Sequence, residues 1–329
     1  MADVLDLRQF RASQLEDLLV AETLEWNDLL RWDYAPSAAL IRQYVDARIL
    51  PGYVLLDHPG ARAHPLGYGF FIYEARKGMI GNLFVAPEHR DPARGHERLL
   101  LEHMIATLRS SPGLERIEAQ LMSIPSAALA PTFAAHGFQR FPRVFLELRL
   151  PPPPPEPAPP PVTRFGGLRL EPWGGASFDE AARLIQLAYQ DHVDSRINDQ
   201  YRSFAGAIRF MHNIAHYPGC GTFDPSASYF ARADASPLGN GHRLEGMILA
   251  SRVRADTAHI TQVCVLPERQ RQGLGRALLA RCLAQLARQR LAAATLTVTA
   301  GNASALALYR QLGFHPLLEF DAYVWERGA

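Results

Sequence analysis

One segment of the chain combines the residue types that bind phosphate groups. Residues 262–279 form an apolar strand, a basic loop with two glycines and the start of an amphipathic helix. This order brings free backbone N–H groups and a helix N-terminus together, which suits an anion such as a pyrophosphate. Gly273 and Gly275 let the backbone approach a ligand closely, and Arg271 and Arg276 add positive charge. We therefore expect the ligand to be a nucleotide-bearing cofactor.

Two linked motifs give the chain a family resemblance. The run Val-x-Pro-x-x-Gln-x-x-Gly-x-Gly over residues 265–275 resembles the acyl-coenzyme A loop of the GNAT superfamily of N-acetyltransferases. Downstream, residues 295–314 resemble that family's next strand and helix. The resemblance covers residues 164–329 and implies acetyl-coenzyme A as cosubstrate, with no metal. The residues it implies as coenzyme contacts are Val263, Cys264, Val265, Arg271, Gln272, Gly273, Leu274, Gly275, Arg276 and Asn302.

The resemblance also implies a catalytic residue, Tyr309, as the general acid that protonates the departing coenzyme A thiolate. A free thiol and a phenol have pKa values of about 8.5 and about 10, which are close enough for this proton transfer. Tyr309 also lies three residues after Leu306 on the same predicted helix, so a half-buried core tyrosine is the structural alternative.

Two of the implied coenzyme contacts also have structural explanations. Asn302 begins a predicted helix, where it is typical of an N-cap, and this role is compatible with a coenzyme contact. Cys264 lies on the strand whose backbone the resemblance assigns to the pantetheine arm and the thioester carbonyl. We interpret its side chain as a small apolar strand residue rather than a nucleophile, because the sequence places no histidine or acid to activate it.

The general base is not identified from the sequence. An amine attacks only in its neutral form, yet amines have pKa values from about 8 to above 10. Many members of the resembling family place a carboxylate on the strand before the asparagine, where this chain has Thr297. The candidates are a water chain, His259 on the preceding strand, or an acid contributed by the acceptor side.

The acceptor side is expected in residues 190–224, which shape substrate entry in the resembling family. His192, Asp194 and Tyr201 are the candidate substrate contacts, although a solvated helix end also explains this polar stretch. His212 and His216 have the i, i+4 spacing of a metal pair. We predict no metal site there, because the motif lacks the glutamate of a zincin and a third ligand is not evident.

The elements that position these residues repeat along the chain. Residues 151–161 contain nine prolines in eleven positions and predict a polyproline II spacer, with a ligand for proline-binding modules as the alternative. The sequence on either side follows a similar order of strands and helices. We therefore predict an α/β protein of two tandem GNAT-like domains, each a twisted mixed sheet flanked by helices. The boundaries are 1–150, a linker at 151–163, and 164–329.

The two halves differ in their chemistry. Aligning Val85 with Val265 places Ala93 at the position of Gly273, and counting back from Gly137 as from Gly313 places Phe133 at that of Tyr309. Pro92 has no N–H group to offer a phosphate, and a phenylalanine has no proton to donate. We therefore interpret the first half as a degenerate copy with a structural or substrate-shaping role; whether it binds coenzyme A stays open.

Composition excludes several other classes of function. The net charge is +1 with 20% charged residues, which argues against a nucleic-acid partner. No apolar stretch approaches the ~20 residues of a membrane helix, and the N-terminus lacks a secretory signal pattern. The three cysteines are unclustered and indicate a reducing compartment. We expect a cytoplasmic protein.

Together these features predict an acyltransferase. The second domain is expected to move an acetyl group from acetyl-coenzyme A to a primary amine, on a small molecule or a peptide, by direct attack. The alternatives are a non-catalytic acyl-coenzyme A sensor and an interaction protein that uses the first domain and the proline segment as a docking arm. Neither the identity of the amine nor the oligomeric state follows from the sequence.

Overall fold

The computed structural model describes residues 2–60, 63–152, 164–174, 178–217, 219–233 and 243–328. The chain divides into two compact units, residues 1–143 with 319–329 and residues 144–318. Each is described by itself. The proline-rich segment falls outside the described residues except for its first two positions.

The first unit contains a mixed sheet and four helices among its described residues. The sheet runs in the order β1-β2-β3-β4-β5-β14, with a parallel β4–β5 pair and antiparallel neighbours otherwise. Its elements are β1 (Asp3–Asp6), α1 (Glu16–Leu30), α2 (Ala35–Asp46), β2 (Gly52–Leu56), β3 (Pro65–Glu74), β4 (Lys77–Val85), α3 (His96–Ser110), β5 (Arg116–Gln120), α4 (Ser126–Ala135), the first residues of β6 (Gln139–Arg149) and most of β14 (His315–Glu326).

The second unit repeats this plan. Its sheet runs β6-β13-β12-β11-β10-β8-β7, β12 and β13 are parallel, and short β9 pairs with β11. Its further elements are β7 (Arg164–Phe165), β8 (Leu168–Pro172), α5 (Phe178–Ala188), α6 (Val193–Ile197), α7 (Phe204–His216), β9 (Thr222–Phe223), β10 (Tyr229–Ala233), β11 (Leu244–Arg254), β12 (Thr257–Val265), α8 (Leu274–Arg288), β13 (Ala293–Thr299) and α9 (Ala303–Gln311).

Each sheet has a buried core on both faces. In the second unit one core lies under α8 and α9, and the other lies under α5 and α7. The apolar residues of α8 that recur every four positions, Leu274, Leu278, Cys282 and Leu286, are all buried, as their spacing predicts. The first unit likewise buries α3 and α4 on one face of its sheet and α1 and α2 on the other. The predicted α/β fold, with helices on both faces of a mixed sheet, is confirmed.

The compact units differ from the predicted domains at their boundaries. Residues 144–149 of β6 belong to the second unit, where the Leu150 N–H donates to the Ala292 carbonyl at 2.8 Å. From Glu319 onwards β14 belongs to the first unit, where residues 322–326 pair with β5. The two halves of the sequence have thus exchanged their final strands. Boundaries drawn from the linker therefore do not coincide with the compact units.

No helix among the described residues is long and apolar enough to cross a membrane.

Candidate functional site

The central parallel strands of the second unit separate where the candidate coenzyme residues begin. Strand β12 pairs with β13 from Thr257 to Ile260 only, whereas β12 itself continues to Val265. A register shift against β11 falls at the same place. Beyond it, the Val263 carbonyl accepts a hydrogen bond from the Tyr189 hydroxyl at 3.4 Å. A backbone that has lost one strand neighbour is available to pair with an extended ligand.

The loop that follows β12 presents a row of backbone donors. Gly273 is the N-cap of α8 with a φ of 90°, and Arg271 has a φ of 60°. The N–H groups of residues 271–276 have no hydrogen-bond acceptor among the described residues. The Gln272 side chain donates to the Glu268 carbonyl at 2.7 Å and so braces the loop. Successive unpaired N–H groups at a helix N-terminus form an anion-binding concavity.

The other predicted loop residues differ in their burial and in their contacts. Leu274 is buried in the core and anchors the first turn of α8. Gly275 has space for a Cβ, which would stand 3.7 Å from Leu308. The Arg276 guanidinium donates to the side chain of Gln311 on α9. Arg271 is exposed, so its charge is available to a ligand at the loop.

Cys264 is a core residue. Its side chain is 6% exposed and lies in the core beneath α5 and α7. Burial raises the pKa of this thiol to about 12, so it is a neutral thiol at physiological pH. This agrees with the interpretation of Cys264 as a small apolar strand residue.

Asn302 combines two contacts at the start of α9. Its side-chain oxygen accepts the Ala305 N–H at 3.1 Å, which makes it the N-cap. Its side-chain nitrogen lies 3.2 Å from Nε2 of His192. The structure thus brings a predicted coenzyme contact and a predicted substrate contact side by side.

Tyr309 lies two turns further along α9. Its side chain is 9% exposed, its ring packs against Phe314, and its hydroxyl has no hydrogen-bond partner among the described residues. Burial, together with the nearby negative charge of Asp194, raises the pKa of Tyr309 well above its usual value. The phenol therefore keeps its proton at neutral pH.

Asp194 reaches this region from α6. The hydroxyl of Thr299, at the end of β13, donates to the Asp194 carboxylate. His192 caps α6, because its Nδ1 accepts the Asp194 backbone N–H at 3.2 Å. Of the three predicted substrate residues, His192 and Asp194 thus stand close to Asn302 and Tyr309.

Tyr201 joins the same region through a network that the sequence did not predict. The Tyr201 hydroxyl donates to Gln262 at 3.2 Å, and Gln262 donates to the Tyr189 hydroxyl at 2.8 Å. The Tyr189 and Tyr201 rings stack with centroids 4.3 Å apart. Gln262, a buried amide on β12, was the available signal for this network.

An open cleft adjoins these residues. It has a volume of about 760 Å³ and is formed by the end of α5, the start of α6 and the short helix Asp199–Arg202. His192, Ser195 and Tyr201 lie on its wall. A volume of this order is within the range of small-molecule sites.

The other candidate histidines are His259 on β12 and the pair His212 and His216 on α7. His259 lies on the paired part of β12, where Nδ1 contacts the Thr295 hydroxyl at 2.9 Å and the ring stacks on Phe145. It is therefore not among the groups at the strand gap. His212 and His216 stack on each other, and no group of three His, Cys, Asp or Glu side chains is placed to hold a metal ion within the part of the chain that the structure describes.

The first unit shows the same strand separation with a different loop. Pairing of β4 with β5 ends at Ile80, although β4 continues to Val85. Gly95, with a φ of 62°, is the N-cap of α3. The alignment of Ala93 with Gly273 is therefore wrong by two residues, because this loop is two residues longer. The assignment of a non-tyrosine to the Tyr309 position stands, since Phe133 lies in α4 and is fully buried.

Part of the second unit matches a known protein family. Residues 196–314 match the family model described as Acetyltransferase (GNAT) family. Over 65 residues the chain is 45% identical to the ribosomal protein bS18-alanine N-acetyltransferase of Escherichia coli (strain K12). That match covers 20% of this chain and 44% of the relative, so the chain matches less than half of the relative's length.

Two solved structures resemble the whole chain. A GCN5-related N-acetyltransferase from Sphaerobacter thermophilus has a TM-score of 0.63 at 15% identity, covering 99% of this chain and 95% of that one. A tandem GNAT protein from the clavulanic acid biosynthesis pathway has a TM-score of 0.57 at 18% identity, covering 100% and 99%. At these identities the likeness shows a common fold.

Proposed function

Because the second unit contains a GNAT-family acetyltransferase domain, we propose that this chain transfers an acetyl group from acetyl-coenzyme A to a primary amine. The row of free N–H groups over residues 271–276 is the observation that carries this proposal. It lies directly after the separated end of β12 and at the start of α8. A pyrophosphate at the loop would align the pantetheine arm with the free edge of β12.

In this mechanism the second unit does the chemistry by direct attack. The amine enters through the cleft beside His192 and attacks the thioester carbonyl. Backbone groups of β12 polarise that carbonyl, and such preorganised donors are commonly the largest catalytic contribution. The C–S bond then breaks, and Tyr309 protonates the departing thiolate. The thiol of Cys264 stays out of the reaction because it is buried and neutral.

The acceptor is proposed as an amine on a small molecule or a peptide. The bacterial relative is a ribosomal protein bS18-alanine N-acetyltransferase, and its similarity to this chain is restricted to 65 residues. Peptides with N-terminal alanine are therefore the first acceptors to test, followed by small amines. Three free cysteines support a reducing compartment, and we propose the cytoplasm.

Replacement of the phenol tests the proposal most directly. We expect Tyr309→Phe to lower kcat by about 100-fold or more, with the dissociation constant for acetyl-coenzyme A nearly unchanged. The matched control is Phe133→Tyr at the corresponding position of the first unit, which is expected to leave kcat unchanged. Turnover of Tyr309→Phe at the rate of the unmodified protein would remove Tyr309 from its role. Coenzyme binding without turnover on any amine would favour the acyl-coenzyme A sensor instead.

A further inference from the structure

The acceptor side supplies a carboxylate to the end of the strand that precedes Asn302. Asp194 lies on α6, yet its side chain accepts a hydrogen bond from Thr299 at the end of β13. The two residues are 105 positions apart in the chain. The Asp194 side chain is 16% exposed, so it is largely withdrawn from solvent without being sealed in the core.

His192 lies beside this carboxylate without a hydrogen bond to it. His192 holds the first turn of α6, since its Nδ1 accepts the Asp194 N–H, and the same nitrogen lies 3.7 Å from the carboxylate. Nε2 of that ring contacts Asn302. The carboxylate is therefore tied to β13 through Thr299, whereas its neighbours His192 and Ser195 line the open cleft.

The titratable groups that face Asp194 come from three elements. His192 belongs to its own segment, Tyr309 projects from α9, and Tyr189 follows the end of α5. Asp194 is the acidic member of this set. It lies close to the phenol proposed to protonate the leaving group, and its neighbours His192 and Ser195 line the cleft by which an amine would enter.

We propose that Asp194 is the proton acceptor for the amine, which is a catalytic role assigned to the acceptor side of the unit. The inference rests on the proposed acetyl transfer. An ammonium substrate first loses one proton through the Asp194 carboxylate to solvent. The neutral amine then forms the N–C bond, the C–S bond breaks, and the thiolate takes the Tyr309 proton. The proton lost by the acylated nitrogen passes to Asp194 and returns to the Tyr309 phenolate, so both groups are regenerated.

This role accounts for the chemistry of Thr299. The Thr299 hydroxyl donates to the carboxylate and so holds one of its oxygens at the end of β13. The carboxylate does not need to come from β13 itself, where the sequence has Thr297 and Thr299. Thr299 is therefore a positioning residue in this inference.

The test compares Asp194→Asn with the full-length protein over a range of pH. Asparagine keeps the shape and one oxygen acceptor for Thr299 but does not accept the amine's proton. We expect kcat/KM at pH 7 to fall by about 100-fold, and the deficit to shrink as the pH approaches the pKa of the amine. The dissociation constant for acetyl-coenzyme A should stay within about threefold. Asp179→Asn, an exposed aspartate in the first turn of α5, is the matched control.

Two further variants separate a positioning role from a structural one. Thr299→Val should lower kcat/KM without weakening acetyl-coenzyme A binding, because the carboxylate loses the hydroxyl that holds it, and Thr299→Ser should restore kcat/KM. If Asp194→Asn keeps the rate and pH profile of the unmodified protein while Tyr309→Phe is inactive, the role of Asp194 is wrong and the acetyl transfer stands. If the unmodified protein binds acetyl-coenzyme A but acetylates no amine, both proposals fail.

Discussion

The loop between β4 and α3 satisfies its own backbone donors, whereas the loop between β12 and α8 leaves its donors unpaired. In the first unit the Asp91 side chain accepts the Ala93 N–H at 2.9 Å. The Asp91 carbonyl accepts the N–H groups of Arg94 and Gly95, and Pro92 has none. One aspartate and one proline are thus enough to occupy or remove the loop donors that correspond to residues 271–273, whereas the N–H groups of the first helical turn are unpaired in both units.

A second difference concerns the aromatic residue on the following helix. Phe133 is fully buried and stacks on Tyr323 with ring centroids 3.9 Å apart. Tyr309 occupies the corresponding helix of the second unit, but its hydroxyl is left without a partner among the described residues. The strand separation is common to both units, so the scaffold has been kept while its chemistry has changed. Core packing determines the backbone conformation in both units. A few polar groups then determine whether the backbone N–H groups of the loop are available to a ligand.

The exchanged strand gives the prediction with the largest effect. Tyr323 on β14 is 3% exposed, and its ring fills the core of the first unit against Phe133. Tyr323→Ala should lower the free energy of unfolding of that unit by about 3–5 kcal/mol, the usual range for deletion of a buried aromatic ring. Thermal unfolding measures the loss, and Tyr73→Ala, at an exposed tyrosine, is the control.

Hydrogen exchange of Tyr323→Ala shows which of the two units loses stability. Protection should fall in β4 and β5 and persist in β12 and β13. A loss confined to the second unit would contradict the assignment of residues 319–326 to the first.

The sequence predicted the parts of the site that depend on neighbouring residues. The loop glycine at Gly273, the cap at Asn302 and the buried stripe of α8 all follow from local spacing. The contact of Asp194 with Thr299 was not predictable in this way, because it joins elements that only the fold brings together. The exchange of final strands also escaped prediction, since the apolar pattern of a strand does not specify which neighbour it pairs with.

The helix layer of the first unit gives a second prediction. Glu22 on α1 is fully buried, and it accepts a hydrogen bond from Tyr68. Asn82 and Trp26 also face it, and Trp26 stacks on Tyr34. Burial raises the pKa of Glu22 to about 7 from an ordinary value of 4.5. The second unit has an open cleft, whereas the first unit buries a carboxyl group. We expect Glu22 to affect the stability of the protein and not acetyl transfer.

The sign of this effect follows from proton binding. Between pH 4.5 and 7 the folded state keeps the Glu22 proton while the unfolded state loses it, so stability falls as the pH rises and is constant above about 7. A pKa difference of this size corresponds to about 3 kcal/mol. Glu22→Gln should therefore stabilise the protein by up to that amount at pH 8 and by little at pH 5. Denaturant unfolding at both pH values measures this difference, with Glu88→Gln at an exposed glutamate as the control. Equal stabilisation by Glu22→Gln at pH 5 and pH 8 would contradict the prediction.

The smallest predicted effect separates the two loops most directly. Gly273 has a φ of 90°, and a Cβ added there would stand 3.2 Å from the Phe165 ring. Gly273→Ala should destabilise the protein by about 1–2 kcal/mol through backbone strain. It should also weaken acetyl-coenzyme A binding about tenfold, because the strained loop no longer holds its donors in place. Gly95→Ala, with a φ of 62° at the corresponding cap, should carry a similar strain in the first unit.

Isothermal titration of acetyl-coenzyme A into both glycine variants measures the difference. The Gly95 variant should bind the coenzyme as tightly as the unmodified protein, since Asp91 already occupies the donors of its loop. Equal weakening of acetyl-coenzyme A binding in both variants would mean that the first unit also contributes to coenzyme binding. The two loops would then not differ in function. Retained affinity in the Gly273 variant would instead move the coenzyme away from residues 271–276.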